Sequence, residues 1–240
     1  MIDTVQNKFK SKPGKRILAI SAHPDDIEFA AGGTMFKFIQ NGYDIYFVIA
    51  TNGENGFKID HKPRNSRVKV RHNEQLKAAK ILGVKKVFFL NRKDCYLKYD
   101  DKLRRELGLI IKKVKPEIIF SFDPSNHSFE SVNLLHRDHR VIAEASFDAV
   151  FAARNRYLLP GEPHAVKQFW FFGSDKPDYF ENITGQIDDK IKLISAHRSQ
   201  FSDYNSMADW VKEHLSNYTK KYKYSEKFRI VNITQPFVKE

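Results

Sequence analysis

Two short runs of this 240-residue chain carry the residue types that chemistry needs, His23-Pro24-Asp25-Asp26 and His136-Arg137-Asp138-His139. In the first, His23 and Asp26 are three apart, a spacing that lets an imidazole and a carboxylate converge on one ion. Asp25, between them, faces elsewhere, toward a substrate. In the second, His136 and His139 are also three apart, and one turn of helix sets both rings on one face. Two imidazoles with one carboxylate leave coordination positions open to water, the pattern of a catalytic rather than a structural zinc site. The same residues admit plainer roles. Asp25 or Asp26 can cap a helix start, and His136 and His139 can form an exposed helix face.

Elements must bring these runs together. Residues 16–22 are a short apolar run without alternation, as in a strand buried on both faces. Further strands are expected at 43–51, 86–90, 117–122 and 167–172. Helices are expected at 27–41, 67–82, 101–114 and 134–153. Leu76, Ala79 and Leu82 share a stripe on the second helix, which Gly83 stops. Leu103, Leu107, Ile110, Ile111 and Val114 mark the third, and Pro116 ends it. This alternation predicts an α/β fold: a Rossmann-like, mostly parallel sheet with helices on both faces. A mixed C-terminal extension covers 175–240, with helical stretches at 188–199 and 206–221 and a strand near 228–233. A basic tail occupies 1–15, and 16–240 reads as one domain.

Ligands in open α/β sheets bind beyond the carboxyl ends of the strands. The polar clusters follow those ends: His23 to Asp26, then Thr51 to Gly56, then Asn91, Arg92 and Asp94, then Asp123 to His127 with His136 to His139. That shared rim marks an active site.

On these residues the chain resembles the PIG-L/LmbE family of zinc-dependent de-N-acetylases. Ala22-His23-Pro24-Asp25-Asp26 with Ala31-Gly32-Gly33-Thr34 resembles the family's first motif, and Thr51 to Gly56 its second-strand motif. Arg71-His72-Asn73-Glu74, His136-Arg137-Asp138-His139 and Ser195 to Gln200 are similar to later motifs, in the family's order. The resemblance implies hydrolysis of an N-acetyl group from an amino sugar or an N-acetylglucosamine conjugate. It implies His23, Asp26 and His139 as zinc ligands, Asp25 as general base and His136 as assisting electrophile or acid; chemically, His136 held by Asp138 suits stabilising the tetrahedral oxyanion. It places Glu54, Arg71 and Asp94 at the sugar, and it implies a homo-oligomer. Arg137 departs from the family's usual proline, and the 57–70 loop is unusually basic.

Composition narrows the alternatives. A single cysteine, Cys95, excludes a disulfide framework and an all-cysteine zinc site. No apolar run approaches the roughly 20 residues of a membrane span. The polar, basic start has no secretory apolar region, so the expected compartment is the cytoplasm. The net charge of +12 is spread along the chain, which reads as solvated faces, not a nucleic-acid or membrane-surface binder. Gly32-Gly33 lacks a GxGxxG context, so no dinucleotide site is expected. Cys95 and Phe169 to Phe172 read as packing, His127 as loop, and His197 as structural. Two other readings stay open: a metal-free sugar-nucleotide-binding domain, and an amidase of a thiol–sugar conjugate.

Overall fold

The computed structural model describes residues 15–56, 63–128 and 135–233. The basic tail, apart from Lys15, and the first part of the basic loop lie outside the described residues, as does the expected helix start at Leu134.

Strands and helices alternate as β1 (Arg16–Ser21), α1 (Asp26–Gln40), β2 (Asp44–Thr51), α2 (Arg64–Leu82), β3 (Lys86–Arg92), α3 (Asp101–Val114), β4 (Ile118–Phe122), α4 (Arg137–Arg154) and β5 (Gln168–Phe172). Then come β6 (Tyr179–Asn182), α5 (Ile187–Ile194), α6 (Tyr204–Ser216) and β7 (Ser225–Asn232). The sheet order is β3-β2-β1-β4-β5-β7-β6. The first five strands in that order are parallel, while β7 runs antiparallel to β5 and to β6. Helices α1, α2 and α5 pack together, and α3 packs on α4. Right-handed crossovers put those two groups on opposite faces of the sheet.

Local chemistry sets the element ends. The Asp100 side chain caps α3 by accepting from the Leu103 N–H at 2.7 Å. Leu103, Leu107 and Ile111 are buried on one side of that helix. Strands β1 and β4 are buried and mainly apolar, because helices cover both faces. Phe169, Trp170, Phe171 and Phe172 on β5 are core side chains, at most 1% exposed.

Several sequence expectations are corrected. Leu76 is 50% exposed, whereas Ala79 and Leu82 are buried. The inward face of α2 instead carries Arg71, Glu74 and Gln75, because that helix backs onto the polar site and not only onto core. Asn91 and Arg92 belong to β3, beside a register irregularity in its pairing with β2. Arg92 pairs with Glu106 and not with the rim. The first C-terminal helix ends at Ile194, and β6 was not expected. It is four residues long and sits at the sheet edge, too short for alternation to show.

Candidate metal centre and active site

The strand order reverses between β1 and β4, with β2 and β3 on one side and β5 on the other. This reversal opens a crevice at the carboxyl ends of those two strands. His23 leaves β1 on one side of it, and His136 and His139 enter α4 on the other.

Three ligand-type groups meet there. His23 Nδ1 lies 3.1 Å from His139 Nε2. Asp26 lies 3.3 Å from His139 Nε2 and 3.6 Å from His23 Nδ1. Metal–nitrogen and metal–oxygen bonds of about 2.1 Å at tetrahedral angles separate ligand atoms by roughly 3.4 Å. The three side chains therefore fit a divalent ion. His23, His136 and His139 also form a possible metal-holding group, as do His23, Asp94 and Asp138. His127 is exposed and belongs to no such group among the described residues.

The second nitrogen of His23 faces carboxylates. Nε2 is 3.1 Å from Asp94 and 3.4 Å from Asp138. A ligand imidazole held from behind by a carboxylate is fixed in tautomer and orientation. Burial by itself would lower the His23 pKa, but Asp26, Asp138 and Asp94 together hold it well above the ordinary value. The same set of charges favours any cation placed there. Burial likewise opposes charge on Asp26, but His139 and His23 outweigh it and hold the carboxyl far below the usual range. For Asp94 the net result is a pKa of about 2, with burial again opposed by His23.

Asp25 is built differently from its neighbours. It occupies the N-cap position of α1, yet its side chain makes no capping bond there. Its φ of 99° is in the left-handed region, which costs a non-glycine residue roughly 1–3 kcal/mol. Two contacts hold it. Its N–H donates to Gln75 Oε1 at 3.1 Å, and Arg71 donates twice to Oδ2 at 3.2 Å. Arg71 also donates to the Pro24 carbonyl and is only 2% exposed. Gly53 makes room for it. At φ +63°, a Cβ there would stand 2.8 Å from Arg71 Nε and 2.9 Å from Pro24 Cδ. Burial pushes the Asp25 carboxyl up, and the Arg71 charge opposes this. Glu74, three residues further along α2, faces Ser199 instead and accepts from its N–H and hydroxyl.

Asp138 does not hold the His136 ring. Its carboxylate accepts from the Cys95 N–H at 2.7 Å and the Leu97 N–H at 3.1 Å. His136 Nδ1 instead accepts from the backbone N–H of Asp138 at 3.2 Å. In the neutral ring that contact assigns the proton to Nε2, a donor facing the site. Burial lowers the His136 pKa and favours that neutral form. Cys95 is not simple packing. It is partly exposed, at φ 68°, with Sγ 3.7 Å from His136 Nε2. Glu54 is buried and accepts from Arg64 and Asn52 on the β2 side of the crevice. Asp123 turns out to be structural, bonded to Arg229. Arg137 is the first residue of α4, a position that suits proline but tolerates an exposed arginine.

The PIG-L model, described as GlcNAc-PI de-N-acetylase, matches residues 18–150. This chain belongs to the PIG-L family. Diacetylchitobiose deacetylase of Thermococcus kodakarensis is 31% identical over 195 residues, covering 79% of this chain and 71% of that one. The solved N,N'-diacetylchitobiose deacetylase of Pyrococcus horikoshii superposes with a TM-score of 0.82 at 26% identity, over 97% of this chain and 93% of the other. This PIG-L chain is also 30% identical over 200 residues to 4-oxalmesaconate hydratase of Pseudomonas putida, covering 78% of this chain and 75% of that one. Among the described residues of the PIG-L chain, no helix is long and apolar enough to cross a membrane.

Proposed function

We propose that this PIG-L chain is a metal-dependent hydrolase that removes the N-acetyl group from an amino sugar or an N-acetylglucosamine conjugate in the cytoplasm. One observation carries the reading: His23, His139 and Asp26 stand at ligand spacing, with the spare carboxylate of Asp25 beside them. Two of the relatives are named diacetylchitobiose deacetylases, which supports an acetylated amino sugar as substrate.

His23, Asp26 and His139 would hold the ion, and two imidazoles with one carboxylate suit zinc. Such an ion, when bound, brings the pKa of water toward roughly 7 and polarises a carbonyl. Asp25 is the base. It takes the proton from the attacking water and returns one to the leaving amine. Arg71 grips its Oδ2 and leaves the other oxygen for that water. His136 donates from Nε2 to the oxyanion that develops on the carbonyl. Asp94 and Asp138 act behind His23, fixing its ring. Glu54 stands on the sugar side, where a carboxylate accepts from hydroxyls. A homo-oligomer belongs to the same reading, and light scattering checks it.

The test is acetate release from N-acetylglucosamine and diacetylchitobiose by metal-loaded enzyme, beside an Asp25→Asn variant. The variant should keep its metal and lose roughly 10²-fold or more in rate. A conjugated tricarboxylic acid, 4-oxalmesaconate, offered as a hydratase substrate, is the control. Turnover of that control without acetate release from any sugar would reject the deacetylase reading.

A further inference from the structure

The amide that this enzyme would cleave has two ends of opposite character. One is an amino sugar, covered in hydroxyls. The other is an acyl group, a hydrocarbon. The crevice also has two unlike sides. Toward β2 stand Asn52, Glu54, Asn55 and Arg64, all polar. Toward β5 the ligand pair Asp26 and His139 borders a separate cavity of about 520 Å³.

That cavity is walled mainly by Phe29, Phe122, Phe172, Trp210, Leu215 and Tyr218. Phe122 stacks on the His139 ring with centroids 3.9 Å apart, so the apolar wall starts at the ligand itself. Phe29 and Trp210 meet edge to face at 6.0 Å across the junction of α1 and α6. His214, stacked on Trp210, and two lysines add polar groups to the lining. Lys190 is tied to Glu226 and to the carbonyls of Glu28 and Phe29. The Lys227 ammonium lies 4.6 Å above the Tyr218 ring. The volume is that of a small-molecule site, typically about 300–1,000 Å³. The methyl of an acetyl group is about as large as a water molecule, roughly 30 Å³. Acetyl alone would leave most of this space without contacts.

We propose that this cavity is an acyl pocket and that the enzyme prefers amino-sugar amides whose acyl chain is longer than acetyl. The inference rests on the hydrolase reading above and names its substrate class more closely. The polar side takes the sugar, the amide carbon lies at the ligand triad, and the chain runs under α6 along the wall that Phe29 and Trp210 form together. The reaction is ordinary hydrolysis. Water oxygen forms the new bond to the carbonyl carbon, and the C–N bond breaks with its electron pair on nitrogen. A water proton passes to the amine, giving a free amino sugar and a fatty acid.

N-acyl glucosamines from acetyl to octanoyl test it, with free amine as the readout, on metal-loaded enzyme. The hexanoyl amide should exceed the acetyl amide in kcat/KM by about tenfold or more, since each buried methylene adds to binding. In Trp210→Ala the hexanoyl-to-acetyl ratio should fall toward one. Trp210 is 52% exposed, so the variant should fold, and its melting curve checks that. A second readout is tryptophan fluorescence in Asp25→Asn. Trp170 is fully buried in the sheet, so a change on adding N-hexanoylglucosamine reports Trp210. Cleavage of the acetyl amide with progressively slower cleavage of longer ones would overturn the acyl pocket and leave the deacetylase intact. If no amide is cleaved, the hydrolase reading falls and the titration decides the pocket. Tighter binding of the hexanoyl amide than of the acetyl amide upholds it, and equal binding overturns it.

Discussion

Asp94 touches His23 at Nε2, the ring nitrogen away from His139 and Asp26, so its replacement tests the orientation of the ring. Asp94→Asn keeps the shape and removes the charge behind the imidazole. Metal affinity should weaken roughly 10- to 100-fold, as for other carboxylates behind a ligand histidine. Competition against a chelator measures it, and unchanged affinity would show that Asp138 alone fixes the ring. Arg71 makes a second residue-scale case. Its guanidinium is 2% exposed and meets Asp25 and the Pro24 carbonyl. Arg71→Ala should therefore lower kcat/KM by a similar factor for every sugar amide. A loss confined to some sugars would mean that the arginine contacts substrate directly. The closeness of His23 to Asp26 and of His136 to His139 was legible in the sequence, because residues three apart meet without knowledge of the fold. The partners of Arg71 and Asp94 were not. Arg71 and Asp25 are 46 positions apart, and only the packing of α2 behind the β1 turn joins them.

At the scale of elements, the antiparallel strand β7 is fastened to the end of β4. Arg229 on β7 donates to both oxygens of Asp123 at 2.7 and 2.6 Å. Burial would raise the Asp123 carboxyl, but Arg229, Ser174 and Ser125 bring it down to about 2. A carboxyl depressed in the folded state adds stability above its unfolded pKa, near 3.9, and loses it as pH falls through the folded value. The contribution is about 2 kcal/mol at most, because Arg229 is partly exposed to solvent. Asp123→Asn should thus be less stable than wild type at pH 6, and the gap should close between about pH 4 and pH 2. Urea midpoints across that range check it, and a gap independent of pH would remove the ion pair from the account. The alternation of strands and helices was legible because buried parallel strands are short apolar runs between amphipathic helices. The pairing of β7 was not, since its direction depends on a sheet edge that only exists once β5 has formed.

Across the whole molecule, the C-terminal elements hold the helix that carries Asp26. Lys190 on α5 and Glu226 on β7 form an ion pair at 2.5 Å, with both side chains at most 1% exposed. The pair reaches into the backbone of α1. Lys190 donates to the carbonyls of Glu28 and Phe29, and Glu226 accepts from the N–H groups of Gly33 and Thr34. Gly32 and Gly33 belong to this junction. A Cβ on Gly33 would stand 2.9 Å from Ile183. The pair joins α5 and β7 to α1, beginning two residues past Asp26. Removing one partner leaves a buried charge alone, which costs about 3–5 kcal/mol. Lys190→Met should then lower the melting temperature by about 10 °C in a chain of this size. The double variant Lys190→Met/Glu226→Leu leaves no lone charge, so it should recover much of that loss. Metal affinity should follow the same order, weakest in the single variant, because a loosened α1 no longer presents Asp26 to His23 and His139. A single variant that melts like wild type, or a double variant that melts no higher than the single, would show that the ion pair does not couple the C-terminal elements to the site.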